Sequence, residues 1–398
     1  MNIKTNSINL EAESILDDQI EFKCSLTKNI FHNQTILLTG STGLLGNYLL
    51  YELLNQTNGL IYCIVRSESD KFAKNKVIEQ MKYLELWNSS FENRIIAIIG
   101  DLSKPLIGID KQKYDHLCEE VDVIYHNGAQ INSMFSYKAL KPVNVLSTIE
   151  LVKLASLKKT KVFHYISSIA VFFSGLYLNN IVKEHEYPEY DSLFKGGYRQ
   201  TKWVSEHIML NAIKKGLPAS IYRPGLILGH SKTGMTPNFN NLFYNVIKSV
   251  LFLKKYPELK SKMNICPVDF VSKAIINISM NERSIGNNFH ITNPISITWN
   301  EIFKIIKSIG YDITPSNFHD WIEDLTQFAK KNPRHNFSIM LRNLKSSQFN
   351  IFTEKPEFDT MKTQKILAKS LLFCPEVNEK LITTYFTFMK HKNFLNEM

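Results

Sequence analysis

Apolar residues recur along this chain in two patterns that alternate. Short continuous apolar runs are typical of strands buried on both faces of a parallel sheet. We place such strands near residues 36–39, 60–65, 95–99, 122–126, 162–167 and 219–223. Between them the apolar residues take helical spacing, and after the first strand Leu45, Tyr48, Leu49 and Leu53 would share one buried face. Strands that alternate with helices predict an α/β fold built on a doubly wound parallel sheet.

The pattern changes at about residue 235, where it becomes mostly helical and less regular. We therefore divide the chain into a linker-like segment (1–34), a large α/β domain (35–234) and a smaller C-terminal part (235–398). An apolar segment, MNICPVDFVSKAII, interrupts the C-terminal part, and we expect about 263–292 to return to the large domain. Ligands of open α/β sheets bind at the carboxyl ends of the strands, so the C-terminal part is expected to close over that edge.

The composition of the chain argues against some classes of protein. The chain has 398 residues, 44% hydrophobic and 21% charged, which is enough for one large globular domain and a smaller one. Its five cysteines form no CxxC pair or metal-ligand spacing, so we expect reduced thiols, no metal site and a cytoplasmic protein. Residues 1–18 are too polar for a signal peptide. The uncharged stretch 162–182 contains His164, serines and asparagines, which favours a buried strand entering a loop over a membrane span.

The net charge is +10, from 47 Lys and Arg against 37 Asp and Glu. Such a balance is compatible with an acidic partner, with nucleic acid, or with an ordinary surface of solvated lysines. The sequence contains no basic stripe interleaved with aromatic residues and no known nucleic-acid motif. We therefore predict no nucleic-acid partner.

The first candidate site is the glycine turn TGSTGLLG (39–46), which lies between the first predicted strand and its helix. That context is the one a dinucleotide-binding turn requires. Gly40 would form the tight turn, Gly43 would let the backbone approach a pyrophosphate, and Gly46 would let the helix pack closely on the strand. The anion would lie on the N–H groups of the helix N-terminus. Ordinary turns also use glycine, so the interpretation as a Rossmann-type site depends on the rest of the chain.

Residues at the ends of the next strands bear on the cofactor. Arg66 ends the second strand, 26 residues after Gly40. An acidic residue there would bind the ribose of NAD, whereas arginine accommodates the 2′-phosphate of NADP, so we predict NADPH although Glu68 follows closely. Asp101, after the third strand, would accept from an adenine amino group, or it is ordinary turn chemistry. We interpret His126, at the end of the fourth strand, as structural.

The sharpest chemical signal is GYRQTKW (197–203). Tyr198 and Lys202 are four residues apart and would share one face of a helix. A phenol titrates near 10, so bringing it toward 7 takes about three units, or roughly 4 kcal/mol, and a nearby lysine ammonium has the right sign for it. Ser168, in the preceding strand segment YISSIAVF, would bond the substrate oxygen while Tyr198 delivers a proton. Ser167 would point to the opposite side of an extended strand.

Together these features resemble the extended short-chain dehydrogenase/reductases, and within them the thioester reductase domains of nonribosomal peptide synthetases, polyketide synthases and carboxylic acid reductases. The matching motifs are TGSTGLLG, YCIVR, GDLSKP, IYHNGAQIN, PVNVLSTIELVKLAS, GYRQTKWVSE, YRPGLILGHSKTG and PVDFV. Even INLEAESILDDQI (8–20) is similar to the linker that precedes such domains. The family most often has threonine in place of Ser168, and serine retains the hydroxyl.

The resemblance implies a Rossmann-type fold with a smaller, mostly helical C-terminal substrate subdomain, and an NADP-binding domain over 35–234. It implies Ser168, Tyr198 and Lys202 as the catalytic residues. The predicted cofactor contacts are Gly40, Ser41, Thr42, Gly43, Leu44, Leu45, Gly46, Arg66, Asp101, Leu102, Asn127, Gly128, Ala129, Tyr198, Lys202, Pro224 and Gly225.

The implied activity is NADPH-dependent reductive release of an acyl or peptidyl thioester from the phosphopantetheine arm of a carrier protein. The product would be an aldehyde or, after a second hydride step, an alcohol. The chain carries no adenylation, condensation or carrier domain, so we expect an excised terminal domain or a free-standing monomeric reductase acting in trans. The alternatives are a fatty acyl-CoA reductase, a sugar-nucleotide epimerase or dehydratase, and a non-catalytic NADP-binding regulator or scaffold.

Overall fold

A computed structural model gives the fold of the chain. It describes residues 8–23, 34–132, 134–191, 194–332, 337, 341 and 355–395. The strands in these ranges are β1 (Ile36–Thr39), β2 (Ile61–Val65), β3 (Ile95–Ile99), β4 (Val123–His126), β5 (Val162–Ile166), β6 (Ile181–Val182), β7 (Ala219–Pro224), β8 (Leu226–Leu228), β9 (Lys255–Pro257), β10 (Lys262–Met263), β11 (Ile265–Pro267), β12 (Asn288–Ile291), β13 (Ile297–Thr298), β14 (Thr314–Ser316) and β15 (Glu357–Phe358).

The helices in the same ranges are α1 (Leu10–Glu13), α2 (Leu44–Gln56), α3 (Asp70–Tyr83), α4 (Lys111–Glu120), α5 (Tyr137–Lys141), α6 (Ser147–Ser156), α7 (Gly197–Lys214), α8 (Leu242–Leu253), α9 (Val268–Ser279), α10 (Trp299–Ser308), α11 (Phe318–Lys331), α12 (Met361–Leu367) and α13 (Glu379–His391). A π-helical turn, Pro142–Leu146, joins α5 to α6.

Within the described residues, seven strands form one parallel sheet in the order β3-β2-β1-β4-β5-β7-β12. The six predicted strands agree with the observed ones to within a residue at each end. Helices cover both faces, with α2, α3 and α9 on one side and α4, α6 and α7 on the other. The fold class predicted from the sequence is therefore confirmed. The strand order reverses between β1 and β4, and in such sheets that point is where a ligand binds.

The apolar runs in the sequence did not predict the seventh strand of the sheet, β12. β12 pairs in parallel with β7, and α9 packs against α2. The segment from α9 to β12 thus belongs to the sheet and to a helical layer that covers it. It lies within residues 263–292, which we expected from the sequence to return to the large domain. β12 was overlooked because its sequence, NFHI, contains only two strongly apolar residues. Its side chains are nevertheless buried.

A third apolar cluster holds the C-terminal part together and is built mainly from α8, α10, α11 and α13. Several contacts join this part to the large sheet domain, including one hydrogen bond and one strand pairing. The Tyr385 hydroxyl donates to the Gly229 carbonyl at 3.2 Å, and β15 pairs with β6. The C-terminal part is thus smaller and mostly helical, as predicted.

The described part of the N-terminal segment lies against α7. The Asn211 amide donates to the Ser14 carbonyl at 3.1 Å, and the Lys215 ammonium donates to the Asp17 carbonyl at 3.0 Å. None of the described helices is long and apolar enough to span a membrane. In the same residues no group of His, Cys, Asp or Glu is arranged to hold a metal ion. Cys24 lies outside the described ranges, and the other four cysteines are free thiols.

Candidate active site

Two of the three glycines in the turn have no room for a Cβ atom. Gly40 has φ +74°, and a Cβ on it would lie 2.8 Å from the Gly128 Cα. A Cβ on Gly46 would lie only 1.9 Å from the Gly40 carbonyl oxygen. Gly43 is different, because its Cβ would meet that same oxygen at an ordinary 3.4 Å. The fold itself therefore requires Gly40 and Gly46, while Gly43 is exposed and leaves room at the surface of the turn.

The helix that follows the turn presents free backbone donors. α2 begins at Leu44, and its N-cap, Gly43, has no side chain to cap it. The N–H groups of the first helical turn lack intrahelical acceptors, and the helix dipole adds positive potential there. Ser41 and Leu45 are buried behind this surface, and their contacts with a cofactor stay a prediction. Thr42 and Leu44 are half-buried at the same place.

The floor beside the turn comes from the end of β4. The Gly128 N–H donates to the Thr39 hydroxyl at 2.9 Å, and a Cβ on Gly128 would lie 2.5 Å from Leu102. The Asn127 amide reaches the Gly40 carbonyl at 3.4 Å. Ala129 continues this floor and is half-buried. Asn127 and Gly128 thereby lie against the glycine turn, and Leu102 lies against Gly128; their contacts with a cofactor stay a prediction.

His126 has a structural role. Its ring bonds Thr39 at 2.8 Å and Thr148 at 3.1 Å, which joins β1, β4 and α6. Burial, and then the charge of Lys202, lowers the pKa of His126 to about 3. The imidazole is therefore neutral at physiological pH and supports the floor of the site, which agrees with the structural interpretation of this residue.

Arg66 and Asp101 lie side by side at the ends of β2 and β3, because Val65 pairs with Ile99. Arg66 is exposed. Burial opposes ionisation of Asp101, but hydrogen bonds from Ser103 and the charges of Arg66 and Lys104 outweigh it and lower the pKa of Asp101. The carboxylate accepts the Ser103 N–H and hydroxyl at 2.9 and 2.8 Å. Asp101 thus shapes its own turn, and Arg66 remains available to solvent.

Ser168, Tyr198 and Lys202 meet where β5 ends against α7. The Ser168 hydroxyl lies beside the Tyr198 phenol, close enough to favour its ionised form, and the Ser168 oxygen accepts the Ala170 N–H at 3.1 Å. The Lys202 ammonium donates to the Ile166 carbonyl at 2.7 Å and lies 4.9 Å from the Tyr165 ring centroid. The three predicted catalytic side chains are therefore adjacent in space.

The electrostatics of this trio differ from the expectation. Burial raises the pKa of Tyr198 to about 12, and the neighbouring Ser168 hydroxyl only partly opposes that rise. Burial also lowers the pKa of Lys202 to about 7, against the opposing charge of Glu206. The causes of the shift in the pKa of Tyr198 are thus burial and Ser168. The phenol is consequently a proton donor at neutral pH.

Pro224 and Gly225 lie at the end of β7, the next strand beyond β5. Pro224 is buried, and a Cβ on Gly225 would lie 2.6 Å from the Asn264 amide oxygen. Gly225 is therefore required by the contact with the segment before β11. A role of these two residues in binding the cofactor stays a prediction.

Asn144 was not recognised from the sequence. It lies in the π-helical turn, and its amide accepts the Gln130 N–H at 2.7 Å and donates to the Thr201 hydroxyl at 3.0 Å. It thus fastens the loop after β4 to the catalytic helix α7. π-turns are frequent at functional sites, and the only signal in the sequence is Pro142 inside an otherwise helical pattern.

Comparison with known proteins places this architecture in a family. Residues 38–275 match the family described as male sterility protein. A linear gramicidin synthase polypeptide of Brevibacillus parabrevis is 36% identical over 350 residues, which cover 87% of this chain and 7% of the relative. The large chain of the L-2-aminoadipate reductase of Candida glabrata is 31% identical over 81% of this chain and 25% of the relative.

A solved structure agrees in fold over nearly the whole chain. The terminal R domain from the myxalamid PKS-NRPS biosynthetic pathway superimposes with a TM-score of 0.91 and 33% identity, over 97% of this chain and 98% of that one. The fold and the site thus define an oxidoreductase with a nicotinamide cofactor. The chain belongs to the male sterility protein family, in the thioester reductase branch of the extended short-chain dehydrogenase/reductases. It spans only a small part of the length of the two curated relatives.

Proposed function

We propose that this protein uses NADPH to release a carrier-bound acyl or peptidyl thioester as an aldehyde. The observation that carries the proposal is that the Ser168 hydroxyl and the Tyr198 phenol lie side by side where β5 ends, with Lys202 one helical turn from Tyr198. Two hydroxyl groups that converge on one point can both bond a carbonyl oxygen as it gains charge. A non-catalytic scaffold would need the glycine turn but not this arrangement.

The chemistry assigned to the chain is proton delivery and positioning. When bound, the nicotinamide supplies a hydride to the thioester carbonyl carbon. Tyr198 gives its proton to the carbonyl oxygen, Ser168 holds that oxygen, and Lys202 orients the ribose beside them. The hemithioacetal so formed returns its proton as the C–S bond breaks, which yields an aldehyde and the thiol of the carrier arm. A second equivalent of NADPH consumed per thioester would identify the alcohol as the final product.

The residues present fit NADPH. The positive φ of Gly40 and the uncapped start of α2 suit a pyrophosphate. Arg66 is exposed at the end of β2, where a guanidinium can take a 2′-phosphate in bidentate fashion. The names of the relatives, a peptide synthase and an aminoadipate reductase, support a thioester as the substrate.

Arg66→Ala is expected to weaken NADPH binding by roughly one to two decades and leave NADH binding nearly unchanged. The reason is the loss of a charge-assisted contact to phosphate, which is worth about 1.5–3 kcal/mol. Cofactor titrations with NADPH and NADH measure the preference directly. Lys71→Ala removes a cation from the neighbouring α3 and serves as the control. Equal weakening of both cofactors would show that Arg66 supports the fold and does not select the phosphate.

A carrier-bound acyl group is expected to be a better substrate than the same group on pantetheine. The chain has a net charge of +10, so an acidic carrier would be steered to it, and the advantage should shrink as salt rises. The gain should appear mainly in kcat/KM, because docking supplies binding energy remote from the reacting carbon. NADPH oxidation with both substrates at low and high salt measures it. Equal efficiency that is insensitive to salt would refute carrier docking and favour an acyl-CoA substrate.

A further inference from the structure

Glu206 is a fully buried carboxylate in α7, one turn beyond Lys202 and two turns beyond Tyr198. It accepts the Arg223 guanidinium at 2.9 Å from Nε and 2.7 Å from Nη2, and it also accepts the Ser167 hydroxyl. Arg223 belongs to β7 and is itself fully buried. A buried ion pair of this kind gives little net stability. Stability alone therefore does not explain why the Glu206–Arg223 pair lies between α7 and β7.

Three consecutive residues at the end of β5 lie against α7. The Ile166 carbonyl accepts Lys202, the Ser167 hydroxyl donates to Glu206, and Ser168 lies beside Tyr198. The three partners on α7 are spaced by four, so they lie in a row along one face of the helix. The backbone at Ser168 is extended, with φ −163° and ψ 149°, and side chains alternate along extended backbone. Ser167 directly precedes Ser168, so anchoring its side chain on Glu206 fixes the backbone from which the Ser168 hydroxyl projects.

We propose that Glu206 is a positioning residue for the reduction, which fixes Ser168 through Ser167 and holds Lys202 in its cationic form. The inference rests on the proposed function, since it assigns these roles to the hydride-transfer site described above. Arg223 keeps the carboxylate in place from β7, and its other donors are used by the Glu184 and Glu186 carbonyls at 3.3 and 2.8 Å.

The surroundings of Lys202 explain why a carboxylate is needed there. Burial lowers the pKa of Lys202 to about 7, and the charge of Glu206 is the opposing influence. The other titratable groups near the ammonium are His126 from β4 and Tyr165 from β5, and Tyr198 lies one turn before Lys202 on α7. Burial makes each of them neutral at physiological pH, by lowering the pKa of His126 and raising those of Tyr165 and Tyr198. Glu206 is thus the negative charge that stabilises the lysine ammonium.

The test separates the two roles with two variants. Glu206→Gln keeps the shape but removes the charge, and Ser167→Ala keeps the charge but removes the anchor. Activity as a function of pH is measured by NADPH oxidation at saturating cofactor. For Glu206→Gln we expect kcat to fall at least about tenfold at pH 8, and the alkaline limb to move to lower pH by on the order of one unit. The direction follows because a lysine that loses its counter-charge gives up its proton at lower pH.

Ser167→Ala is expected to lower kcat by roughly fivefold, the worth of one hydrogen bond, with the alkaline limb and the thioester KM unchanged. Ser220→Ala is the matched control, because that buried hydroxyl lies at the far end of β7 and donates to the Ser284 carbonyl at 2.8 Å. It should leave both kcat and the pH profile as in the wild type. If Glu206→Gln is insoluble, Glu206→Gln combined with Arg223→Met removes both buried charges and is measured in the same way.

Either of two results overturns the inference. An unshifted alkaline limb in the Glu206 variant would show that the charge does not act on Lys202. Wild-type kcat in Ser167→Ala would show that the anchor does not position Ser168. The titration of Lys202 is also followed by NMR of ¹³C-labelled lysine, which needs no turnover. A wild-type protein inactive on every thioester would refute the proposed function, while the NMR midpoint in wild type and Glu206→Gln would still decide the role of Glu206.

Discussion

Tyr198→Phe is expected to lower turnover by about 10²–10⁴, the usual contribution of general acid catalysis. The phenol is the proton donor of the proposed reaction, and it is protonated at neutral pH because burial raises its pKa to about 12. Phenylalanine keeps the ring that packs and removes only the hydroxyl. NADPH binding, followed by fluorescence, should be nearly unchanged. The same measurements therefore separate a lost proton donor from a damaged cofactor site.

The control for this prediction is Tyr114→Phe. Tyr114 is buried, and its hydroxyl donates to the Glu150 carbonyl at 3.4 Å, between α4 and α6. That variant should retain wild-type turnover. Full activity in Tyr198→Phe would remove Tyr198 from the catalytic assignment, and with it the main argument for an enzyme over a cofactor-binding scaffold.

Gly46→Ala and Gly43→Ala are expected to fail in different ways, although both change one glycine of the same turn. In Gly46→Ala the new Cβ would lie 1.9 Å from the Gly40 carbonyl oxygen. The turn must open to relieve that contact, at a cost of about 1–3 kcal/mol in the free energy of unfolding, and NADPH binding should be lost as well. Thermal denaturation and cofactor titration measure the two effects.

Gly43→Ala should fold nearly as the wild type does, because its Cβ has ordinary contacts and its φ is −85°. The methyl group would instead separate the start of α2 from a pyrophosphate. We expect NADPH affinity to fall by about ten- to a hundredfold, the loss of one charge-assisted hydrogen bond. Unchanged NADPH affinity in this variant would mean that no phosphate approaches Gly43, and the interpretation of the turn would then be wrong.

The strands that carry the site could be predicted from apolar runs. β1, β2 and β5 are buried on both faces of the sheet, so nearly every residue in them is apolar and the signal is continuous. Apolar runs did not predict β12, because Asn288 and His290 interrupt its apolar residues. The His290 ring can be buried because it forms hydrogen bonds with Arg223 at 3.2 Å and with the Asp359 carbonyl at 2.8 Å. Those partners are distant in the sequence, so no local pattern could indicate them.

The sequence by itself determined the fold class, the glycine turn and the Tyr198–Lys202 pair, because each depends on residues within one helical turn or one strand. The tertiary structure decided which groups those residues meet. It brought Ser168 to Tyr198, engaged Lys202 at the Ile166 carbonyl, and placed the Glu206–Arg223 pair behind them. It also raised the pKa of Tyr198 in the chain alone, whereas the lowering expected from the sequence applies to the site with cofactor bound. The physical reason is burial, which depends on the packing of α7 against the sheet and favours the neutral form of each ionisable side chain that is left without a charged partner.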